Sequence, residues 1–337
     1  MSDETPIEHS LSIVIPMYNE EDNVEPMVTR VQEALDGYEY PWELVVTNDG
    51  SSDGTAQRLQ AMAEQYGSHI KVINLQRNFG QTAAMQAGID AARGDVIATL
   101  DGDLQNDPKD IPRMVRRLLD EDLDLVAGWR KDRKDGLVLR KIPSRIANRL
   151  IAKMTGVTLN DYGCSLKIYR AKVIKNVPLF GEMHRFIPAW MATETLPSRI
   201  KEEVVTHHAR QFGESKYGIS RTFRVVIDLL SVFFFMRFRA RPAHFFGQLG
   251  LGFGALGGAG LFYLFILKLM GEDIGTRPLL IISVLFILMA VQFLMTGVLG
   301  EMMSRTYYSA SDRRHYVIHS QVNAPDASDD SSDDWKR

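Results

Sequence analysis

Asp101 and Asp103 stand two positions apart in LDGDLQNDP, directly after the apolar run DVIATL, and Asp107 follows closely. Like charges this near one another cost free energy unless a cation lies between them. Paired carboxylates suit a hard divalent ion, Mg2+ or Mn2+, which prefers oxygen ligands and leaves positions for substrate phosphates. The competing reading is a polar turn that caps the helix after Pro108. Turn chemistry accounts for Asp107-Pro108 but not for Asp101 and Asp103 together. Zinc is not indicated, because His207-His208 has no partner at ligand spacing.

Elements must bring such residues to one place. Residues 11–15 (LSIVI) form a β-branched run ended by Pro16, and a helical stretch follows over about 20–35. Further apolar runs occupy 42–46 (WELVV), 70–75 (IKVINL), 95–100 (DVIATL) and 123–129 (LDLVAGW), with helical stretches between them. The turn TNDGSSDGT offers Ser52 or Asp53 as a helix cap. Continuous apolar runs alternating with helices predict an α/β domain with a mostly parallel sheet covered on both faces. Ligands bind such sheets beyond the carboxyl ends of the strands. Tyr18 to Glu20, Asn48 with Asp49, Arg77 with Asn78, and Asp101 with Asp103 all fall at those ends, which makes them one expected site. The turn TNDGSSDGT holds no G-x-G-x-x-G, and no G-x-x-x-x-G-K-[ST] string occurs, so glycine-loop phosphate binding by this sheet is not expected. Arg130, after the fifth run, is a cation suited to phosphate.

The chain has 337 residues and a net charge of −3, so bulk charge does not suggest nucleic acid. The single Cys164 excludes a disulfide framework within the chain and fits a reducing compartment. The opening MSDETPIEHS lacks a basic segment leading into an apolar one, so the N-terminal domain is expected to stay in the cytosol. Residues 244–267 and 278–300 contain no Asp, Glu, Lys or Arg. Each exceeds the roughly 20 apolar residues that cross a bilayer. The short link KLMGEDIGTR makes them a hairpin, and basic flanks on both sides place both termini and the N-terminal domain in the cytoplasm. Between 216 and 242, apolar residues mix with Arg221, Arg224, Arg237, Arg239 and Arg241, the pattern of helices lying in the membrane interface. The expected division is 1–215 an α/β domain, 216–242 juxtamembrane, 243–302 membrane-spanning and 303–337 a cytosolic tail whose acidic end is disordered.

SIVIPMYNEEDNV, NDGSSDGT, NLQRNFGQTAAMQAGID, TLDGDLQNDP, DYGCSLKIYR and HHARQFGESKYGISR stand in the order seen in family 2 glycosyltransferases of GT-A, Rossmann-like fold. With the two terminal spans, the chain resembles the polyprenyl-phosphate glycosyltransferases over about residues 10–305. It looks most like those that use undecaprenyl phosphate and 4-deoxy-4-formamido-arabinose. The resemblance implies inverting transfer of a sugar from a nucleotide diphosphate, here expected to be UDP-linked, to a membrane polyprenyl phosphate at the inner membrane. It also implies a homo-oligomer, with a tetramer suggested by relatives that carry this hairpin.

The resemblance assigns residues too. Asp101 and Asp103 match the D-x-D, and Gln105 a further metal position. Pro16, Tyr18, Glu20 and Asp49 match the nucleotide end, where Asn48 departs from the commoner paired aspartates. Arg77 and Arg130 join this donor-binding set. Arg140 and Ser144 match acceptor-phosphate positions, and Arg210 with Lys216 a loop over the diphosphate. Asp161 is a candidate base or, equally, an orienting group. Arg140, Asp103 and Asp161 form the expected catalytic set. A processive polysaccharide synthase would bring more spans and a Q-x-x-R-W string, which is absent. A non-catalytic partner would not need the DGD, NDG and GESK set.

Overall fold

The computed structural model describes residues 7–131, 151–152, 155–177, 179, 181, 183–209, 242–309 and 316–324. The chain divides into two compact units, of which one is the pair of long apolar helices and the other holds the sheet.

The sheet unit opens with β1 (Leu11–Met17), α1 (Glu21–Ala34), β2 (Trp42–Asn48), α2 (Thr55–Tyr66), β3 (Ile70–Leu75), α3 (Gln81–Ala91) and β4 (Val96–Thr99). After a 3-10 turn over Pro108–Asp110 come α4 (Ile111–Asp120), β5 (Leu125–Trp129), β6 (Lys167–Arg170), α5 (Ala171–Ile174), α6 (Ile187–Met191) and β7 (Ile200–Val204). β8 (Ile318–Val322) completes it. The strand order is β7-β5-β6-β4-β1-β2-β3-β8. β1 to β4 are parallel, β6 is antiparallel to β4 and β5, and β7 is parallel to β5. β8 runs antiparallel to β3. The expected mostly parallel α/β sheet is therefore present, with two antiparallel strands that the apolar runs did not announce.

Alternation decides which face each residue serves. Ile13 and Ile15 pack in one buried cluster with Val24 and Met27 of α1 and Met114 and Leu118 of α4. Val14, between them, turns to the other face, where a Cβ on Gly88 of α3 would collide with it. Contrary to expectation, β1 does not stop before Pro16. Val14 accepts from the Leu100 N–H on the β4 side. Pro16, two residues on, therefore turns its missing N–H to the side where pairing with β4 has ended.

The second unit comprises α7 (Pro242–Leu269) and α8 (Pro278–Ser309), connected by a short loop. Both are long and apolar enough to cross a membrane. A Cβ on Gly250, Gly257 or Gly260 would crowd Ala290, Ser283 or Ile287 of α8, so these glycines set the closeness of the pair. Phe253 stacks on Phe293 and meets Phe286 edge-on. α8 outlasts the expected span, continuing as helix to Ser309.

The expected juxtamembrane helices over 216–242 and the acidic end of the tail lie almost wholly outside the described residues. The tail expectation needs one correction: residues 318–322 form an edge strand of the sheet.

Candidate active site

The carboxyl ends of β1, β2 and β3 are tied into one surface. Gly50 adopts a left-handed φ of 63°, and a Cβ there would overlap the backbone of Arg77 and Asn78. That contact locks the loop after β2 to the loop after β3. Asp49 strengthens it, its two carboxylate oxygens accepting from the Phe79 and Gly80 N–H groups at 2.8 and 2.9 Å. Burial raises the pKa of Asp49, opposed by those two donors. Asn48 is buried beside it, accepting from the Ser51 N–H at 3.1 Å and donating to Asn74 at 2.9 Å.

After β1 the chain makes a strained turn. Asn19 has φ 53°, held by its N–H to Ser51 Oγ at 2.9 Å and by its Oδ1, which accepts from the Ser52 N–H at 2.9 Å. The turn leaves Tyr18 exposed and sets Glu20 near the start of α1, where its carboxylate accepts from Asn23 Nδ2. Arg77 is exposed, its guanidinium 4.5 Å above the Phe79 ring. Asp53 does accept from the Thr55 N–H and hydroxyl at the start of α2.

The loop after β4 is also strained. Leu104 has φ 61° and is almost wholly buried, so its side chain anchors a turn in which Asp103 and Gln105 stay half-buried. Non-glycine residues in this region cost energy and persist only where surrounding structure enforces them. Gly102 is required because a Cβ would meet Met17 at 2.8 Å. Asp103 accepts from the Gln105 N–H at 3.2 Å. Asp101 accepts from Gln81 Nε2 at 2.6 Å. Asp107 takes no part in this pair. It caps the 3-10 turn through the Lys109 N–H at 3.0 Å and meets His208 Nε2 at 3.1 Å. His207 and His208 lie alongside this loop, His207 opposite Asn106 and the His208 N–H on the Gln105 carbonyl at 2.8 Å.

A second group comes from the middle of the chain. Arg130, at the end of β5, forms a two-pronged ion pair with Asp161, at 2.7 and 3.0 Å, with both side chains largely buried. Burial opposes Arg130's charge, but Asp161 outweighs it and pushes its pKa upward. Lys167 on β6 is buried within electrostatic reach of both and donates to the Cys164 carbonyl. Burial pushes the Lys167 pKa down, while the charges of Cys164, Asp161 and Asp101 oppose that shift. His184 Nδ1 meets the Thr82 hydroxyl at 2.7 Å. Burial lowers its pKa to about 3, so the ring is neutral at physiological pH.

Asp101 tests whether a metal suits the site. Burial raises its pKa, and the Asp103 charge raises it further, against weaker pulls from Ser165, Lys167 and Arg130. Two carboxylates that oppose one another's ionisation accept a divalent cation well. Among the described residues no group of three or more His, Cys, Asp or Glu side chains is placed to hold an ion. The protein would thus supply few ligands and leave the others to substrate oxygens, as magnesium-type sites do.

The structure brings Pro16, Tyr18, Glu20, Asn48, Asp49, Arg77, Asp101, Asp103 and Gln105 to the expected edge, and Arg130, which Asp161 holds, close enough to influence Asp101. Arg140, Ser144, Arg210 and Lys216 lie outside the described residues. Gln81, Thr82, His184 and Lys167 were not singled out in the sequence. Lys167 could have been, as a lone cation within the strand-like CSLKIY; Gln81 carries no such signal.

A glycosyl transferase family 2 model matches residues 12–177. A dodecaprenyl-phosphate galacturonate synthase of Rhizobium johnstonii is 59% identical over 309 residues, 91% of each chain. An undecaprenyl-phosphate 4-deoxy-4-formamido-L-arabinose transferase of Pseudomonas fluorescens is 36% identical over 313 residues, covering 92% of this chain and 89% of its own. Glucosyl-3-phosphoglycerate synthase from Mycobacterium tuberculosis, solved with Mn2+, UDP and phosphoglyceric acid, shares the fold. It has a TM-score of 0.53 and 18% identity, over 68% of this chain and 78% of that one.

Proposed function

The chain belongs to glycosyl transferase family 2, and on that premise we propose that it moves a sugar from a nucleotide diphosphate to a membrane polyprenyl phosphate. It is a polyprenyl-phosphate glycosyltransferase, with relatives of that kind matched along nearly its whole length. The observation that carries the reading is the joint placement of the Asp101–Asp103 pair and the buried Arg130–Asp161 pair in such a chain. The galacturonate synthase makes a UDP-linked uronic acid the first donor to test. Formamido-arabinose, named for the relatives of lower identity, is the second.

In the proposed reaction an oxygen of the lipid phosphate attacks the anomeric carbon. The bond from that carbon to the diphosphate breaks, the carbon inverts, and the nucleoside diphosphate leaves. A divalent cation held by Asp101, Asp103 and Gln105 would neutralise charge gathering on the leaving group. Gln81 fixes the Asp101 carboxylate. Tyr18, Glu20, Asp49 and Arg77 form the nucleotide side.

Asp161 orients rather than deprotonates. A phosphate monoester has its second pKa near 6, so the lipid phosphate is mostly a dianion at neutral pH and has no proton to give up. Both Asp161 oxygens are bonded to Arg130, which makes the carboxylate a poor proton acceptor. Its task is to hold Arg130 as a fixed cation for phosphate oxygens. Arg140, Ser144, Arg210 and Lys216 retain the acceptor and diphosphate roles that the family resemblance implies.

α7 and α8 would anchor the enzyme in the inner membrane as a hairpin. β7 and β8 flank that hairpin in the chain and belong to one sheet, which supports both its ends lying on one side; the basic flanks make the cytoplasmic side the proposed one. The proposed division places 1–215 in the catalytic domain, 216–242 at the interface and 243–302 in the bilayer, with 318–322 returned to the catalytic sheet. The homo-oligomer, a tetramer, is tested by the mass of the detergent-purified complex.

The deciding experiment incubates purified enzyme, undecaprenyl phosphate and Mg2+ or Mn2+ with UDP-galacturonate, UDP-formamido-arabinose, UDP-glucose, UDP-GlcNAc and GDP-mannose separately. Mass spectrometry then reads the lipid. A glycosylated lipid phosphate from one donor is the expected result, and none from any donor defeats the reading.

A further inference from the structure

β8 does more than cover the edge of β3. Asn74 on β3 donates through Nδ2 to Ser320 Oγ on β8 at 3.1 Å, and its Oδ1 accepts from Asn48 Nδ2 on β2 at 2.9 Å. Asn48 Oδ1 accepts from the Ser51 N–H at 3.1 Å, and Ser51 Oγ accepts from the Asn19 N–H at 2.9 Å. One ladder of polar groups thus crosses from β8 over β3 and β2 to the turn after β1. It also gives a reason for the amide at position 48, which must donate to one neighbour and accept from another.

A second tie reaches the loop after β3. The Gln76 N–H donates to the Val317 carbonyl at 3.0 Å, and three residues on, Phe79 and Gly80 hold the Asp49 carboxylate. The segment itself is pinned at both ends. The Tyr316 hydroxyl donates to Asp90 of α3 at 2.7 Å, and Asn323 Nδ2 donates to the Ile70 carbonyl at 3.0 Å.

We propose that residues 316–323 are a positioning element of the nucleotide-sugar site, setting the loops at 48–51 and 76–80 in the form that receives the donor. The proposal rests on reading those loops as the donor site. Ser320 and Val317 act through Asn74 and Gln76 and need not touch the substrate.

The test uses the full-length enzyme in detergent and whichever donor the wild type turns over. Asn74→Leu removes both side-chain bonds at the centre of the ladder, and donor KM rises about tenfold while kcat stays within about twofold. Asn74→Asp keeps acceptors for Asn48 and for the Ser320 hydroxyl, and restores KM to within about threefold of wild type. Ser320→Ala, at the exposed end, raises KM about twofold to threefold, and Asp120→Ala, at the exposed end of α4, leaves it unchanged. Hydrogen exchange without donor gives an independent readout: amides at 48–51 and 76–80 exchange faster in Asn74→Leu and Ser320→Ala than in wild type. Donor KM unchanged in both variants, while the wild type is active, overturns the proposal. If the wild type makes no product, the functional reading fails by itself, and unchanged exchange at those amides overturns the positioning role separately.

Discussion

In the sheet unit the large apolar side chains lie inside, whereas in the helix pair they lie outside. Ile13, Val46 and Leu59 are wholly buried, but Phe262 is 65% and Ile281 66% exposed. The polar groups differ as well. In the sheet unit buried polar groups are bonded to one another across loops, as Asp49 is to Phe79 and Gly80 at the edge that carries the candidate site. Between α7 and α8, glycine faces and phenylalanine contacts bring the helices together. The lesson is that each unit is built for a different solvent. Water drives the first together by its apolar core. Lipid offers no such drive, so the second depends on close fit.

The largest predicted effect lies in the sheet unit. Asp103→Asn should lower kcat about a thousandfold at saturating donor, about 4 kcal/mol, with the circular dichroism of the helices unchanged. A loss below tenfold would remove Asp103 from the chemistry.

Ile281→Arg and Leu196→Lys sharpen the comparison directly, because both side chains are about equally exposed, at 66% and 65%. In the hairpin the charge should cost about 3 kcal/mol of insertion, read as loss of the membrane-integrated fraction. In the sheet unit Leu196→Lys should stay within about 0.5 kcal/mol by thermal unfolding. Equal outcomes would mean that the two surfaces meet the same solvent.

Arg130→Lys and Asp161→Asn should each reduce kcat/KM about a hundredfold, and the double variant should be little worse, because the pair acts as one unit. If Asp161→Asn alone abolishes the chemical step while Arg130→Lys is mild, Asp161 is a base after all. Smaller still, Gly50→Ala should cost about 2 kcal/mol of stability through its left-handed backbone and its contact with Arg77, measured as a lower Tm.

The first five strands were legible because apolar runs between helices leave few alternatives. β6, β7 and β8 were not. Lys167 interrupts the apolar signal of β6, and IKEEV and IHSQV lack the apolar run of a buried strand. Their place comes from tertiary pairing, which overrides local preference. The expected span over 278–300 coincides with the apolar part of α8, Pro278–Gly300, while the helix itself continues beyond it to Ser309. In the site, the spacing of Asp101 and Asp103 suggested a cation because charge repulsion is visible in sequence, and the structure places both after β4. Gln81 and Asn74 are ordinary amides, and only the register that sets Asn48 beside Asn74 shows what the latter does.

The position of β8 also fixes an order of events during synthesis. The ribosome makes β3 early and β8 only after both long helices have been translated. Until then the side of β3 that β8 will cover stands open, a ready template for pairing with another chain. Closure of that edge therefore waits on the last strand to emerge, and a ribosome that stalls within α7 or α8 leaves behind a sheet that is both unfinished and adhesive.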